Sequence, residues 1–240
     1  MALRKAGNGS VARLAELRLN VMADRTKKTV LERSAPAPPL DDIDVMTFVE
    51  RDRPLDDPAY THELKFDGYR LLAETGAAVR LKTRNGADAT RWFPEIVAGL
   101  DDFTARHVFD GEVCVLDELG RPDFDRLHRR AKARGYRPGL DPVVYCVFDL
   151  LVHRGRDIRA RPLSERKSAL ARLLRRKRSS ILRVDDFPGR GVWLFEPARA
   201  LELEGIVSKR LDSLYLSGQR SDAWQKVKRP GAVPPERFRR

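Results

Sequence analysis

The stretch HELKFDGYR, residues 62–70, sets one lysine between two acidic residues and follows it with a glycine and an arginine. Its apolar residues predict a strand, and Asp67 with Gly68 predicts the turn that ends it. On a strand, Glu63 and Lys65 project from the same face, because side chains alternate between the two faces. The question is whether Lys65 is one surface lysine among many or a nucleophile.

A lysine that attacks phosphorus must first lose its proton, and the ordinary pKa of a lysine amine is about 10.4. Nearby carboxylates raise that pKa, whereas burial and neighbouring cations lower it. A nucleophilic lysine at position 65 therefore needs a metal ion or other basic side chains close by. Lys226 and Lys228, in the predicted closing strand WQKVK, share one strand face and are candidates for that role.

The overall charge of the chain favours an anionic partner. Lys and Arg number 47 against 35 Asp and Glu, a formal net charge of +12 over 240 residues. A charge of that sign and size is typical of proteins that bind nucleic acid. A soluble basic protein without such a partner is the alternative. Apolar residues make up 42% of the chain, enough to build the core of one large domain or two small ones.

Several classes of site and protein are excluded. Cys114 and Cys146 each lie in a strand-like apolar run and lack metal-site spacing, which indicates buried free thiols in a reducing compartment. The motifs GxxxxGKS/T, GxGxxG and GxSxG are absent. No apolar run approaches about 18 residues and no signal peptide opens the chain, so we expect a cytoplasmic protein with no membrane partner.

We predict three regions along the chain. Residues 1–40 form a basic, partly disordered appendage with a Pro-rich linker, and this appendage either touches nucleic acid or is a plain solvated tail. Residues 41–229 form the folded domain. Residues 230–240 form a short basic tail that is too short and too rich in proline for another domain.

Short strands and helices follow one another in mixed order in the folded domain, with hairpin-type turns between strands, and this order predicts an α+β fold. The predicted strands are YTHELKF, YRLLAET, AVRLKT, HVFDGEVCVLD (interrupted at Gly111), VVYCVFDLL, GIVSKR and WQKVK. The predicted helices are WFPEIVAGL (Pro94 in its first turn), PDFDRLHRRAKARG, LSERKSALARLLRRK (capped by Ser164) and VWLFEPARALELEG (kinked or restarted at Pro197).

Two carboxylates and one aromatic ring stand out on these elements. Glu112 and Glu204 lie in apolar, strand-like surroundings, where an acid is costly unless it is paired or bound to a metal. Phe148 could place its ring against a nucleobase, although packing in the core is the simpler explanation. Each residue taken alone has an ordinary structural explanation.

Taken in order, the motifs KFDG, TRNG, DGE, FDLL, EGIVSK and WQKVK resemble the nucleotidyltransferase signature of ATP-dependent DNA ligases, RNA ligases and capping enzymes, over residues 60–228. The segments between the motifs resemble the ligase domain of bacterial end-joining DNA ligases. The resemblance implies an α+β adenylation domain of the covalent nucleotidyltransferase, ATP-grasp-like type, with antiparallel sheets flanked by helices.

The resemblance also implies roles in catalysis. Lys65 becomes the nucleophile that attacks the α-phosphate of ATP and forms a lysyl-AMP phosphoramidate. Lys226 and Lys228 neutralise the α-phosphate as charge builds during the transfer. Glu204, helped by Asp67, holds Mg²⁺ or Mn²⁺, because such ions prefer oxygen ligands.

Further residues are implied to bind the nucleotide. Glu63 and the backbone around it meet the adenine edge, and Phe148 stacks on the adenine face. Arg70 and Arg84 hold ribose and phosphate, since the planar guanidinium suits phosphate geometry. Glu112 accepts a hydrogen bond from a ribose hydroxyl.

The implied reaction has three steps: Lys65 takes AMP from ATP, AMP passes to a 5′-phosphate at a nicked or broken DNA duplex, and a 3′-hydroxyl then displaces AMP. The implied setting is DNA repair in the bacterial cytoplasm, in association with the nucleoid. Residues 121–137 and 172–183 are rich in Lys and Arg and are predicted to contact the DNA backbone, with an ordinary solvated helix face as the alternative.

The family normally continues into an OB-type barrel, but the chain ends shortly after WQKVK. We therefore expect a minimal adenylation domain or a truncated chain, with a separate barrel-bearing or end-binding protein as a potential partner. Two other functions stay open: a non-sealing nucleic-acid-binding module that retains the nucleotide pocket, and an RNA ligase. The intact lysines and carboxylates of the motifs favour an active ligase.

Overall fold

Two β-sheets form the centre of the computed structural model, which describes residues 36–50 and 55–232. The first sheet has five strands in the order β1 (Thr47–Glu50), β11 (Arg220–Lys228), β10 (Gly205–Arg210), β2 (Tyr60–Leu64) and β9 (Phe187–Pro188). β1 runs parallel to β11, and the other neighbours are antiparallel.

The second sheet has six strands and continues the antiparallel pattern. Its order is β4 (Arg80–Thr83), β3 (Tyr69–Glu74), β5 (Val108–Cys114), β6 (Val144–His153) and β7 (Arg156–Asp157), with β8 (Ile181–Arg183) paired in parallel to β6. β5 passes through Gly111 without a break. Its register against β6 shifts between Asp110 and Gly111, so the predicted interruption is a bulge within a continuous strand.

Helices cover the outer faces of both sheets. They are α1 (Pro94–Leu100), α2 (Phe124–Lys132), α3 (Leu163–Leu173) and α4 (Gly191–Ala200), and a short 3₁₀ turn spans Leu40–Asp42. Pro94 opens α1 as expected, because its missing N–H would lack a helical partner at that position. The mixture of two sheets and peripheral helices confirms the predicted α+β class. Among the described residues, no helix has the length and apolarity needed to cross a membrane.

One detail of the helix predictions is wrong, and of the two alternatives for Pro197, a kink or a restart, the restart is excluded. Ser164 does not cap α3, because the helix begins at Leu163 and its first N–H groups donate to the carbonyls of Ser213 and Leu211, both at 2.9 Å. A tertiary partner thus replaces the side-chain cap that the local sequence suggested. α4 starts at Gly191 and continues through Pro197 to Ala200, so Pro197 does not restart the helix.

Both faces of the six-stranded sheet are buried. Along β3, Leu71 joins the core beneath α1, α2 and α3, whereas the adjacent Leu72 joins a second core with Leu40 and Trp224. This second core connects the six-stranded sheet with β11 of the five-stranded sheet. α4 packs on the five-stranded sheet through a smaller apolar cluster centred on Leu194 and Ile206.

The segment before β1 belongs to the folded unit that starts at Ala37. The N–H of Ala37 donates to the carbonyl of Gly155 at 3.1 Å, and Arg106 donates to the carbonyls of Ala37 and Pro38 at 3.0 and 2.6 Å. Most of the predicted appendage, residues 1–35, and residues 233–240 of the predicted tail lie outside the described residues.

Candidate active site

A cavity of about 210 Å³ lies between the two sheets, and both sheets supply its walls. It brings together most of the residues that the motifs singled out, although these are spread over more than half of the chain. The predicted residues in its lining are Glu63, Lys65, Arg70, Arg84, Glu112, Phe148 and Lys226. Lys209, Arg220 and Trp224 also line it, together with Phe48 of β1.

Lys65 follows the last residue of β2 and lines this cavity as well as a second one of about 510 Å³. Its backbone N–H donates to the carbonyl of Gly205 at 3.0 Å, which extends the pairing between β2 and β10. Its Nζ forms an ion pair with Oε2 of Glu204, and the Lys65 side chain is 13% exposed. Lys65 is therefore a largely buried amine at the junction of two cavities, whereas an ordinary surface lysine is exposed to solvent.

Glycine is required on both sides of this junction. A Cβ at Gly205 would lie 2.1 Å from the carbonyl oxygen of Val227, and Gly205 has a φ of 146°. A Cβ at Gly68 would lie 2.2 Å from the carbonyl oxygen of Val113. Both distances are far below contact, so only glycine lets these backbones approach closely enough to place Glu204 and the turn after Lys65.

The second cavity carries carboxylates that suit a hard cation. Asp67 and Glu204 line it beside Lys65. Within the described ranges, no group of three or more His, Cys, Asp and Glu side chains is arranged to hold a metal ion. Mg²⁺ commonly takes one or two protein carboxylates, with phosphate oxygens and water completing its coordination. Asp67 and Glu204 would suit such a site if phosphate oxygens and water supplied the remaining ligands.

Lys226 and Lys228 project from one face of β11, as their spacing predicts, and both reach the same carboxylate oxygen. Oε2 of Glu50 lies 2.9 Å from Lys226 Nζ and 3.4 Å from Lys228 Nζ. The hydrogen bond from Lys226 is the main reason that the pKa of Glu50 is lowered. Glu50 carries no motif, and the parallel register that sets it opposite Lys226 brings it here. The two lysines are thus gathered around an anion within the protein itself.

Arg70 lines the cavity, but a buried carboxylate holds much of its guanidinium. Its Nε and Nη2 donate to Asp110 at 2.5 and 2.7 Å, and its Cζ lies 4.4 Å from the centre of the Phe148 ring. Burial alone would lower the pKa of Arg70, yet the attraction of Asp110 outweighs it and the pKa is raised. The hydroxyl of Tyr215 also donates to Asp110, at 2.6 Å. Arg70 is therefore fixed in place, and only the part of its guanidinium group that does not bind Asp110 can face a ligand.

Glu112 lies directly opposite Arg70 in the pairing of β3 with β5. Burial raises the pKa of Glu112 to about 7, while the positive charges of Arg70 and Lys65 act in the opposite direction. A carboxyl group with a pKa near neutrality in a cleft is typical of functional sites. Arg84, beyond β4, is exposed at the rim of the cavity and is anchored by its N–H, which donates to the carbonyl of Arg70 at 3.1 Å.

Lys209 is a cavity residue to which the motif reading gave no role. It is 2% exposed, and its Nζ lies 4.1 Å from the Phe148 ring centre and 4.2 Å from that of Trp224. Burial lowers its pKa to about 8, against the opposing attraction of Glu63. The sequence carried one indication of this position. Val207 and Lys209 are two residues apart on β10, so their side chains lie on the same face of the strand, and both line the cavity.

The carboxylate of Glu63 is held by two lysines. Oε2 lies 2.7 Å from Lys209 Nζ, and Oε1 lies 2.5 Å from Lys167 Nζ. Lys167 belongs to α3, and no local sequence signal connects it with Glu63. Glu63 lines the cavity as predicted, but it does so as part of a buried cluster of charges.

Ion pairs within the protein occupy part of the predicted DNA-contacting segments. In residues 121–137, three arginines pair with carboxylates, and in residues 172–183 two arginines do so. These pairs are Arg121 with Asp117, Arg126 with Asp141, Arg130 with Glu95, Arg178 with Asp102 and Arg183 with Asp185. Residues 175–177 (Arg, Arg and Lys) are exposed, and they lie beyond the end of α3 rather than on the helix that the sequence predicted.

Comparisons with known proteins agree with this geometry. A family model described as the ATP dependent DNA ligase domain matches residues 47–228. The SPbeta prophage-derived DNA ligase-like protein LigB of Bacillus subtilis is 37% identical over 176 residues, which are 72% of this chain and 63% of the relative. The multifunctional non-homologous end joining protein LigD of Pseudomonas aeruginosa is 40% identical over 175 residues, 70% of this chain and 20% of the relative.

A solved structure, described as mycobacterial DNA ligase D complexed with ATP and MES, superposes with a TM-score of 0.71 at 31% identity. The match covers 80% of this chain and 62% of that chain. The chain thus spans less than two thirds of the length of each of these three proteins. The nucleotidyltransferase fold and the ligase resemblance predicted from the motifs are confirmed: the chain belongs to the family of ATP-dependent DNA ligase domains.

Proposed function

We propose that this domain takes AMP from ATP onto Lys65 and passes it to the 5′-phosphate of a nicked or broken DNA duplex, so that the break can be sealed. The observation that carries the proposal is the position of Lys65 at the junction of two cavities. The cavity between the sheets offers an aromatic ring and several cations to a nucleotide, and the other offers carboxylates, among them those of Asp67 and Glu204.

In the first step Nζ of Lys65 loses a proton to solvent and attacks the α-phosphorus of ATP. A phosphorus–nitrogen bond forms, the bond to the pyrophosphate oxygen breaks, and pyrophosphate leaves. The contact between Nζ and Glu204 has to open beforehand, because a carboxylate against the amine would repel the incoming phosphate. Asp67 and Glu204 would hold Mg²⁺ or Mn²⁺, which supplies positive charge to the phosphates.

The other predicted residues bind and orient the nucleotide. Phe148 supplies an aromatic face for the base, and Glu112 accepts from a ribose hydroxyl. The exposed guanidinium of Arg84 and the uncommitted edge of Arg70 reach the ribose and phosphates. Lys226 and Lys228 exchange Glu50 for the α-phosphate, whose negative charge builds as Lys65 attacks.

In the second step AMP passes from Lys65 to the 5′-phosphate at the break, and in the third a 3′-hydroxyl displaces AMP and closes the strand. The relatives include an end-joining protein, which supports DNA repair as the process. The high positive charge of the chain supports a nucleic-acid substrate. We place this activity in the bacterial cytoplasm, at the nucleoid.

Covalent labelling tests the first step. Incubation with α-labelled ATP and Mg²⁺ should give protein-bound label that is stable to alkali and lost in acid, as a phosphoramidate is. Lys65→Ala should abolish the label. Lys65→Arg should abolish it too, although arginine keeps a cation next to Glu204. Lys132→Ala, which removes an exposed lysine of α2, is the matched control and should label like the unchanged protein.

Label that persists in Lys65→Ala would remove Lys65 from the role of nucleophile. A nicked DNA duplex that already carries AMP tests the last step separately, because sealing of this substrate does not need ATP. Failure both to label and to seal, with DNA binding intact, would support the non-sealing binding module. Sealing of a nicked RNA in preference to the DNA would support the RNA ligase.

A further inference from the structure

We infer that Lys167 of α3 is a positioning residue that fixes the Glu63 carboxylate, so that the cavity selects a nucleobase carrying an exocyclic amine. Lys167 is absent from the lining of the cavity and therefore acts through Glu63. The inference deepens the proposed function and rests on it in one respect, namely that the cavity takes a nucleotide.

The geometry fixes the Glu63 carboxylate through both of its oxygens. Lys167 Nζ lies 2.5 Å from Oε1, and Lys209 Nζ lies 2.7 Å from Oε2. Lys167 is 7% exposed, and its Nζ also lies 3.9 Å from Asp186, whose other oxygen accepts from the hydroxyl of Thr61 at 2.9 Å. A carboxylate held between two lysine ammonium groups is restrained from rotating and from moving toward solvent.

An ionised carboxylate accepts hydrogen bonds and cannot donate them. Glu63 lines the same cavity as Phe148, which offers its ring to a base. A base with an amino group on the edge facing Glu63 would donate to the carboxylate. A base with a carbonyl oxygen there would set two acceptors against each other, and a base with only hydrogen there would leave the carboxylate without that partner.

Lys167 tests this idea more cleanly than Lys209 does. Lys209 lines the cavity and touches Phe148 and Trp224, so its substitution would reshape the space for the base. Lys167→Met keeps the length of the side chain and removes its charge behind Glu63. Lys82→Met is a matched control, because Lys82 is also 7% exposed but holds the carbonyls of Asp41 and Ile43 instead.

The experiment is equilibrium binding of ATP and of purine riboside triphosphate, the same nucleotide without the 6-amino group, by titration calorimetry in EDTA. Without a divalent cation the readout is independent of covalent transfer. We expect the unchanged protein to prefer ATP by about 10- to 100-fold, the range for a hydrogen bond to a charged group. In Lys167→Met the preference should fall about fivefold or more, while the affinity for purine riboside triphosphate changes less than about twofold.

Lys82→Met should keep the full preference even if its melting temperature falls, and Lys167→Arg should keep most of it. An unchanged preference in Lys167→Met, an equal loss of both nucleotides, or no preference or no binding in the unchanged protein would each overturn the inference. The two proposals can fail separately. A preference for ATP in calorimetry without covalent label on Lys65 would contradict the transfer reaction alone. Covalent label on Lys65 without a preference for ATP would contradict the inference alone.

Discussion

Glu112 shows how burial and charge compete at a single residue. Burial raises its pKa to about 7 from an ordinary value of 4.5, and Asp110 and Asp67 act in the same direction. Arg70 and Lys65 oppose them without cancelling the effect. Glu112 therefore changes its charge near neutral pH, inside the cavity that we propose for ATP.

This shift predicts a pH dependence of stability. Between about pH 4.5 and about pH 7 the folded protein keeps a proton on Glu112 that the unfolded chain releases, so stability falls as pH rises through that window. Glu112→Gln removes the titration. The difference in unfolding free energy between Glu112→Gln and the unchanged protein should therefore shift in favour of the variant by roughly 1–3 kcal/mol between about pH 5 and about pH 8. Urea unfolding of both proteins at the two pH values checks this, and parallel pH curves would contradict it.

At the scale of elements, the turn between α4 and β10 decides where Glu204 lies. Glu202 in this turn has a φ of 56°, which is unusual for a residue other than glycine. Arg229, immediately after β11, fastens the turn: its Nε donates to the carbonyl of Leu203 at 2.8 Å, and its Nη2 donates to that of Glu202 at 3.1 Å. Its backbone N–H donates to the carbonyl of Glu204 at 3.1 Å. The turn is thus tied to the end of the strand that carries Lys226 and Lys228.

Release of this turn should slow AMP transfer more than it weakens ATP binding. Arg229→Ala removes the two side-chain bonds, so Glu204 loses its fixed position beside Lys65. We expect the labelling rate at saturating ATP to fall roughly 10- to 100-fold, because small misplacements at a reacting centre have effects of that size. The dissociation constant of ATP in EDTA should change little, since Arg229 lines the second cavity and not the one between the sheets.

Arg210→Ala is the control for this prediction. Arg210 is an exposed arginine at the other end of β10 and pairs with Asp212. Its loss should leave the labelling rate unchanged. An Arg229→Ala variant that labels at the normal rate would show that the strand pairing of Gly205 is enough to hold Glu204.

The same elements show what the sequence could predict. The period of two along a strand is local, and it correctly set Lys226 with Lys228 on one face. Contacts that join distant segments left no such signal: Glu50 meets Lys226 through a parallel register, and Lys167 meets Glu63 through the packing of α3. The prediction that Ser164 caps α3 was wrong for the same reason, because the first N–H groups of α3 find their acceptors in a distant part of the chain. The motifs thus identified most of the residues that line the cavity, whereas the residues that support them come together only through tertiary packing.

At the scale of the whole molecule, the net charge of +12 is only partly available to an external anion. Many arginines are already paired with carboxylates, whereas residues 175–177 are exposed and form a compact basic group. Such a group can displace counterions from a DNA backbone. We therefore expect it to contribute to DNA binding in proportion to the phosphates it neutralises.

The salt dependence of binding to a nicked duplex measures that contribution. The slope of log affinity against log salt concentration is negative, and substitution of residues 175–177 by alanine should make it shallower by roughly 2–3. A control variant with alanine at Arg80, Arg199 and Arg210 loses the same formal charge, but these exposed arginines already pair with acidic residues. The control variant should have the same slope as the unchanged protein. Equal slopes in the two variants would show that only the net charge of the protein matters.

The parallel pairing of β1 with β11 joins the first described strand to the last. Phe48 and Glu50 of β1 and Lys226 of β11 meet across this seam, so a wall of the cavity between the sheets depends on it. Contacts between segments so far apart in sequence are slow to form during folding. A chain still emerging from the ribosome therefore has no complete pocket, and the ability to bind a nucleotide arrives only after synthesis has passed β11.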